Sequence, residues 1–164
     1  FNFIVDEIDA QEIEKIAISS TKIRNSINQG DLETTKKYLG RFFSLTGKVV
    51  KGDGLGKQID YPTANILIEE DYKIIPKDGV YYIRTTIDNK LYNGMMNIGY
   101  RPTIGNKAKS IEVNLFNFDR DIYGKVISVD VVVKIRDEKK FSSINALKAQ
   151  LAKDEEHCLK LINK

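Results

Sequence analysis

Cysteine and histidine are almost absent from this chain, with one of each in 164 residues. The lone Cys158 excludes a disulfide framework and fits a reducing compartment. The lone His157 excludes a histidine-rich zinc site, and the two together are too few ligands for a closed one. As helix neighbours they do not face each other, so they make a poor nucleophile and base pair. Long apolar runs are missing too: no stretch approaches the roughly 20 residues that span a membrane. Charge of one sign is scarce, since 26 Lys+Arg against 23 Asp+Glu leave a net charge of +3. That suits a small anionic ligand and is far from the basic stripe of a nucleic-acid binder. The first residues are mixed and acidic, unlike the basic-then-apolar pattern of a secretory leader. No internal repeat, low-complexity tract or Pro- or Ser-rich linker is visible. What remains, 41% hydrophobic and 30% charged residues, is the composition of one globular domain with an appendage. The expectation is a cytoplasmic protein with no membrane or nucleic-acid partner.

Hydrophobic periodicity divides the chain near residue 40. Phe1, Phe3 and Val5 alternate like a short strand. Ser19-Ser20-Thr21 offers N-caps to a helix carrying Ile23 and Ile27 and stopped by Gly30; Asp31 caps a second helix ending at Gly40. This lead-in has too few apolar residues to fold alone, so it packs on the main body or on something else. Beyond it the period becomes two. Strands are predicted over 45–51, from near Pro62, over 80–87 with Tyr81, Ile83, Thr85 and Ile87 on one face, over 91–98 after an Asp88-Asn89-Lys90 turn, over 110–118 and over 126–135. In the last of these Ile127, Val129, Val131, Val133 and Ile135 read as one unbroken apolar face. Six short strands with no helices between them favour an antiparallel barrel or sandwich. A carboxyl-terminal helix follows, capped by Ser142 or Ser143. Ile144, Leu147, Leu151, Cys158 and Ile162 are on its apolar side and Gln150, Asp154, Glu155 and Lys160 on the other, in one piece or two.

The densest chemical signal is 52–65, where Gly52, Gly54 and Gly56 with Lys57 precede Pro62-Thr63-Ala64-Asn65. Glycines turn tightly and present bare N–H groups to an anion, and Lys57 adds positive charge. Thr63 and Asn65 each carry a neutral oxygen of the hard type that Mg²⁺ accepts beside phosphate and water. The spacing is not that of a P-loop, because three residues separate Gly52 from Gly56 and Gln58 stands where Ser or Thr is needed. It is not the dinucleotide fingerprint, since the third glycine comes one residue early and no helix pattern follows. The stretch reads either as a phosphate cradle with a Mg²⁺ perch or as a glycine-rich turn before a proline-led strand. Glu112 lies in a strand with Ile111, Val113 and Leu115 on the opposite face. It reads either as a surface carboxylate or as a general base near that cradle.

These pieces, in order over about residues 45–160, resemble the riboflavin kinase module of bacterial bifunctional riboflavin kinase/FAD synthetases. The matches are the glycine loop, Tyr61-Pro62-Thr63-Ala64-Asn65, Gly79-Val80-Tyr81, Asn97-Ile98-Gly99-Tyr100-Arg101-Pro102-Thr103, Glu112 in its strand, Asp121-Ile122-Tyr123-Gly124, and Ile135-Arg136-Asp137 ahead of Phe141. The resemblance implies a mainly β fold: a six-stranded antiparallel Greek-key barrel with a carboxyl-terminal helix and a short helical lead-in. It implies transfer of the ATP γ-phosphate to the riboflavin 5′-hydroxyl, giving FMN and ADP. By carry-over, Thr63 and Asn65 hold Mg²⁺ and Glu112 takes the hydroxyl proton. Gly52, Gly54, Gly56 and Lys57 cover the phosphates, and Arg136 and Asp137 lie by the flavin. Asn97 and Arg101 belong to a matching motif without a firm role. A barrel mouth is the expected lodging for the ring system.

Three departures stand out from the family's pattern. Lys57 replaces a common arginine, Asp60-Tyr61 stands where Gly-Phe is common, and Asn114 stands where many relatives have histidine. Ile18 to Arg24 resembles the closing motif of the adenylyltransferase domain that precedes the kinase in the bifunctional enzymes. The expected division is therefore 1–40, a remnant of that domain plus a linker helix, and 41–164, the kinase. An early His-x-Gly-His signature is missing, so this chain is expected not to make FAD. The alternative reading is a flavin- and nucleotide-binding barrel without turnover.

Overall fold

The computed structural model describes residues 12–13, 16–52, 54–102 and 107–162. Phe1, Phe3 and Val5 lie outside them. After a two-stranded ribbon, β1 (Glu12–Ile13) with β2 (Ile16–Ala17), come α1 (Ser20–Gln29) and α2 (Leu32–Leu39). Then follow β3 (Phe43–Val50), α3 (Leu55–Gln58), β4 (Ala64–Leu67), β5 (Gly79–Ile87), β6 (Lys90–Pro102), β7 (Lys107–Leu115), β8 (Val126–Arg136) and α4 (Ile144–Ile162). The six long strands close into an antiparallel barrel in the order β3-β4-β7-β6-β5-β8. Closure removes every edge that would otherwise invite pairing with another chain.

Local chemistry sets the elements. Asp88 and Asn89 both adopt positive φ (50° and 62°) between Ile87 and Lys90, the backbone of a two-residue hairpin turn. Ser19 accepts from Lys22 N to start α1, and Gly30, at φ 76°, ends it. Asp31 accepts from Thr34 N to start α2. The two helices are joined by a buried hydroxyl pair, Ser26 Oγ to Thr35 Oγ1 at 2.8 Å. Leu32 then enters the barrel's own core cluster, so the lead-in packs on the main body.

Tyr81, Ile83 and Ile87 of β5 point inward with Met96, Val113 and Val129, as alternation requires. β8 departs from the expectation of one apolar face. Ile127, Val129 and Val131 are inside the barrel, but Val133 and Ile135 belong to a second cluster outside it, with Tyr82, Met95 and Cys158. The cause is two register shifts against β5, between Val80/Tyr81 and Tyr82/Ile83, each of which breaks the alternation.

α4 lies over that second cluster. It is one unbroken helix, begun by Ser143 Oγ accepting from Ala146 N at 3.2 Å. Its expected sides are partly redrawn: Cys158 is buried as expected, but Ile144 is exposed, and Asp154, expected on the polar side, is 2% exposed. Among the described residues no helix is long and apolar enough to cross a membrane.

Candidate active site

One line of side chains crosses five strands. Asn65 of β4 stands opposite Glu112 of β7, Glu112 opposite Asn97 of β6, Asn97 opposite Val80 of β5, and Val80 opposite Arg136 of β8. Directly opposed residues share a face, and Ile111, Val113 and Leu115 take the inner one. The line therefore faces outward, toward α4. Between this face and α4 is a cavity of about 270 Å³, near the lower end of the size range of small-molecule sites, about 300 Å³. Val80, Met95, Asn97, Glu112 and Arg136 line it from the sheet; Phe141, Leu147 and Leu151 line it from the other side. The barrel interior is filled with side chains, and the cavity lies against the outer wall and not at the barrel mouth.

The polar end of the line is tightly built. Thr63, two residues before Asn65, donates from Oγ1 to Glu112 Oε2 at 3.3 Å. Asn65 is buried beside it, and Glu112 is half-buried. The ladder between β4 and β7 includes Ala64 with Val113, and the side chain of Asn114 ties down the residues just before it by donating from Nδ2 to Pro62 O at 2.8 Å. Asn114 thus anchors the strand entry that presents Thr63. Gly56 O accepts from Tyr61 N at 2.8 Å, folding the loop back on itself. A Cβ at Gly56 would collide with the Tyr61 carbonyl and come within 3.3 Å of Thr63 Oγ1, so this glycine is required by close approach. Tyr61 OH reaches α4 through Glu155 Oε2 at 3.1 Å. Burial, then this carboxylate, raises its pKa above the ordinary 10.0.

Gly52, Gly54 and Lys57 are not brought to the cavity wall; Gly56 is. A one-turn helix, α3, stands where an irregular loop was expected, with Gly54 at φ 74° as its first flanking residue. Among the described residues no three of His, Cys, Asp and Glu converge into a metal cage. The oxygens on offer, from Thr63, Asn65 and Glu112, suit a hard ion that draws most of its ligands from phosphate and water. A hydroxyl that donates its proton to Glu112 still has lone pairs for such an ion.

At the opposite end, Arg136 is committed to protein. Its Nε lies 3.0 and 2.9 Å from the two oxygens of Asp154, and its Nη2 lies 2.7 Å from Oδ2. Gln150 Nε2 adds a bond to Asp154 Oδ1 at 2.9 Å. The guanidinium thus clamps α4 to β8 while its edge borders the cavity, and Phe141 stacks beside it with 5.8 Å from ring centre to guanidinium carbon. Asp137 is separated from the cavity: its exposed carboxylate pairs with Lys134 Nζ at 2.6 Å and Lys77 Nζ at 3.9 Å. The Lys134 bond is the first cause holding its carboxyl below the ordinary 3.8. A Cβ at Gly99 would meet only the Glu138 carboxylate, the movable end of a long side chain, so packing does not require glycine there. Of Arg101 only the backbone is described, and Thr103 lies outside the described residues.

The sequence reading missed the parts of the wall contributed by Met95, Leu147 and Leu151, and it gave Asn97 no role. Strand alternation carried the signal for Asn97, since buried Met96 and Ile98 flank it and turn it outward with Glu112. Nothing local marked Asp154 as an ion-pair partner of a strand residue.

Comparison with known proteins gives the family of the chain. Residues 39–162 match the Flavokinase family, described as riboflavin kinase. A bifunctional riboflavin kinase/FMN adenylyltransferase of Bacillus subtilis is 39% identical over 146 residues, covering 87% of this chain and 46% of that protein. One of the same name from Haemophilus influenzae is 38% identical, covering 95% of this chain and 50% of that protein. The chain spans about half the length of these relatives. Among solved structures, one named macrolide-efflux protein from Streptococcus pneumoniae superposes with a TM-score of 0.83 at 38% identity, over 91% of this chain and 49% of that one. Riboflavin kinase from Trypanosoma brucei superposes with a TM-score of 0.51 at 26% identity, over 74% of this chain and 80% of that one.

Proposed function

The chain belongs to the riboflavin kinase family, and from that premise we propose that it transfers the γ-phosphate of ATP to the terminal hydroxyl of riboflavin, giving FMN and ADP. The observation that carries this reading is the line Asn65–Glu112–Asn97–Val80–Arg136, with Thr63 bonded to Glu112. It sets oxygen ligands, a carboxylate, an amide and an apolar wall in the order that a triphosphate, an alcohol, a polyol chain and a flat ring would need. Successive strands are about 4.8 Å apart, so the run from Asn65 to Arg136 covers roughly 19 Å.

Phosphoryl transfer asks for positioning and charge stabilisation more than covalent chemistry. Glu112 accepts the proton of the attacking hydroxyl, with its carboxylate oriented by Thr63. Thr63 Oγ1 and Asn65 Oδ1 would hold Mg²⁺, which when bound offsets phosphate charge. Gly56 keeps the 54–61 loop folded against that end, and Gly52, Gly54 and Lys57 are assigned to the triphosphate itself. Val80, Met95, Phe141, Leu147 and Leu151 exclude water from the ring end, where Arg136 acts by holding α4 in place. Asp137 is left to the rim. We assign the kinase to residues 41–164 and read residues 1–40 as the end of an adenylyltransferase part.

Incubation with riboflavin, ATP and Mg²⁺, followed by chromatography, tests the assignment. Equal amounts of FMN and ADP are expected. Flavin binding without FMN would replace the kinase by a binding module.

A further inference from the structure

We propose that Asn97 recognises the secondary hydroxyls of the acceptor's polyol chain, and so distinguishes a ribityl flavin from a flavin carrying a plain alkyl alcohol. The inference rests on the kinase reading above and adds a specificity residue to it. Asn97 stands one strand from Glu112 on one side and one strand from Val80 on the other. An acceptor whose terminal hydroxyl meets Glu112 and whose ring meets Val80 and Met95 must pass its connecting chain over Asn97. That chain bears neighbouring hydroxyls, each a donor and an acceptor. A primary amide offers both functions within one side chain.

Two further observations mark this residue. Asparagine is a poor strand former, so its place in the middle of β6 calls for a reason other than propensity. Two of the other asparagines on this outer face have one: Asn93 accepts from Tyr82 OH at 2.7 Å, and Asn114 donates to Pro62 O. The half-buried Asn97 amide has no such partner among the described residues, and it lines the cavity. A half-buried amide that lines a cavity and has no protein partner among the described residues is open to bond a polar group that enters there.

The test compares riboflavin with a flavin bearing a hydroxypentyl chain, which keeps the terminal alcohol and lacks the secondary ones. The intact chain should favour riboflavin by about 10–100-fold in kcat/KM, the scale of one unmet hydrogen bond at a partly buried polar group. Asn97→Leu, nearly the same size without hydrogen bonding, should bring the acceptors to within about threefold by losing on riboflavin alone. Asn97→Ala serves as the second variant should the leucine disturb folding, with the same convergence expected. Equal losses on both acceptors, or wild-type discrimination in both variants, would overturn the proposal. Absence of turnover in the intact chain would count against the kinase reading instead. The ratio of the two flavins' dissociation constants, read by fluorescence quenching, then decides the role of Asn97 by the same criteria.

Discussion

Removing the charge of Glu112 while keeping its shape separates binding from chemistry. Glu112→Gln should lower turnover by about 10²–10⁴-fold, the usual contribution of a positioned base. Flavin affinity, followed by fluorescence, should stay within about threefold of wild type because the ring end of the cavity is untouched. Wild-type turnover in this variant would remove the residue from the base role. Asn114 acts one step further out, through the Pro62 carbonyl. Asn114→Leu should raise the Mg²⁺ concentration for half-maximal rate and lower kcat by about tenfold, the scale of one lost hydrogen bond. Asn114→His, which retains a donor, should recover most of both. A leucine variant with an unchanged Mg²⁺ profile would reduce Asn114 to packing. Much of this was legible in the sequence, because alternation alone turns Glu112, Asn114 and Asn97 away from their buried neighbours. The fate of Asp137 was not. Next-door residues at a strand's end diverge, and the lysines that draw it outward are supplied by position in space as well as in sequence.

Helix α4 is the outer wall of the site, and polar ties hold it. Asp154 to Arg136 is the buried one; Glu155 to Tyr61 and Lys148 to Asp60 are nearer solvent. The exposed Lys148 pair contributes little, since such pairs are worth about 0–1 kcal/mol. The buried pair is different in kind. Asp154→Ala leaves the Arg136 guanidinium in a desolvated place without its carboxylate, which should cost about 3–5 kcal/mol in urea unfolding. Arg136→Met combined with Asp154→Leu removes both charges and should recover much of that loss. A double variant no more stable than the single one would show that the loss comes from the missing pair itself and not from a stranded guanidinium. Helix periodicity gave the extent of α4 and the inward turn of Leu147, Leu151 and Cys158. It could not give Asp154, because a carboxylate on an amphipathic helix is buried only when a strand brings a cation to it. The bulges in β8 were equally invisible. An unbroken apolar alternation from Ile127 to Ile135 is what the chain shows, and the shift in register comes from pairing with β5.

Taken as a whole, the molecule has an apolar mass on each side of one sheet wall, and each contains an ionisable group that must stay neutral. Inside the barrel it is Tyr81, fully buried, with its hydroxyl donating to Lys77 O. Burial raises its pKa above the ordinary 10.0, and the Asp78 and Asp137 carboxylates add to the effect. Under α4 it is Cys158, pushed up from 9.0 to about 12 by burial, with Asp154 and Glu155 contributing. Both shifts have the same sign. The neutral forms are favoured in the folded chain, so this part of the stability is present in full below the unfolded pKa values. It is lost as pH rises, for Cys158 between pH 9.0 and about 12 and for Tyr81 from pH 10.0 upward. The urea midpoint should therefore be insensitive to these two groups near neutrality and fall progressively above about pH 9. Cys158→Ala lowers the midpoint at every pH by leaving a small void, yet it should remove the part of the slope that begins near pH 9. A variant whose midpoint falls as steeply as wild type from pH 9 would place the alkaline sensitivity elsewhere. The thiol also separates the two cores. If α4 detaches before the barrel opens, Cys158 should become reactive toward a small alkylating agent at a lower pH than the one at which the circular-dichroism signal of the strands is lost. Simultaneous onset would mean that wall and barrel unfold as one unit.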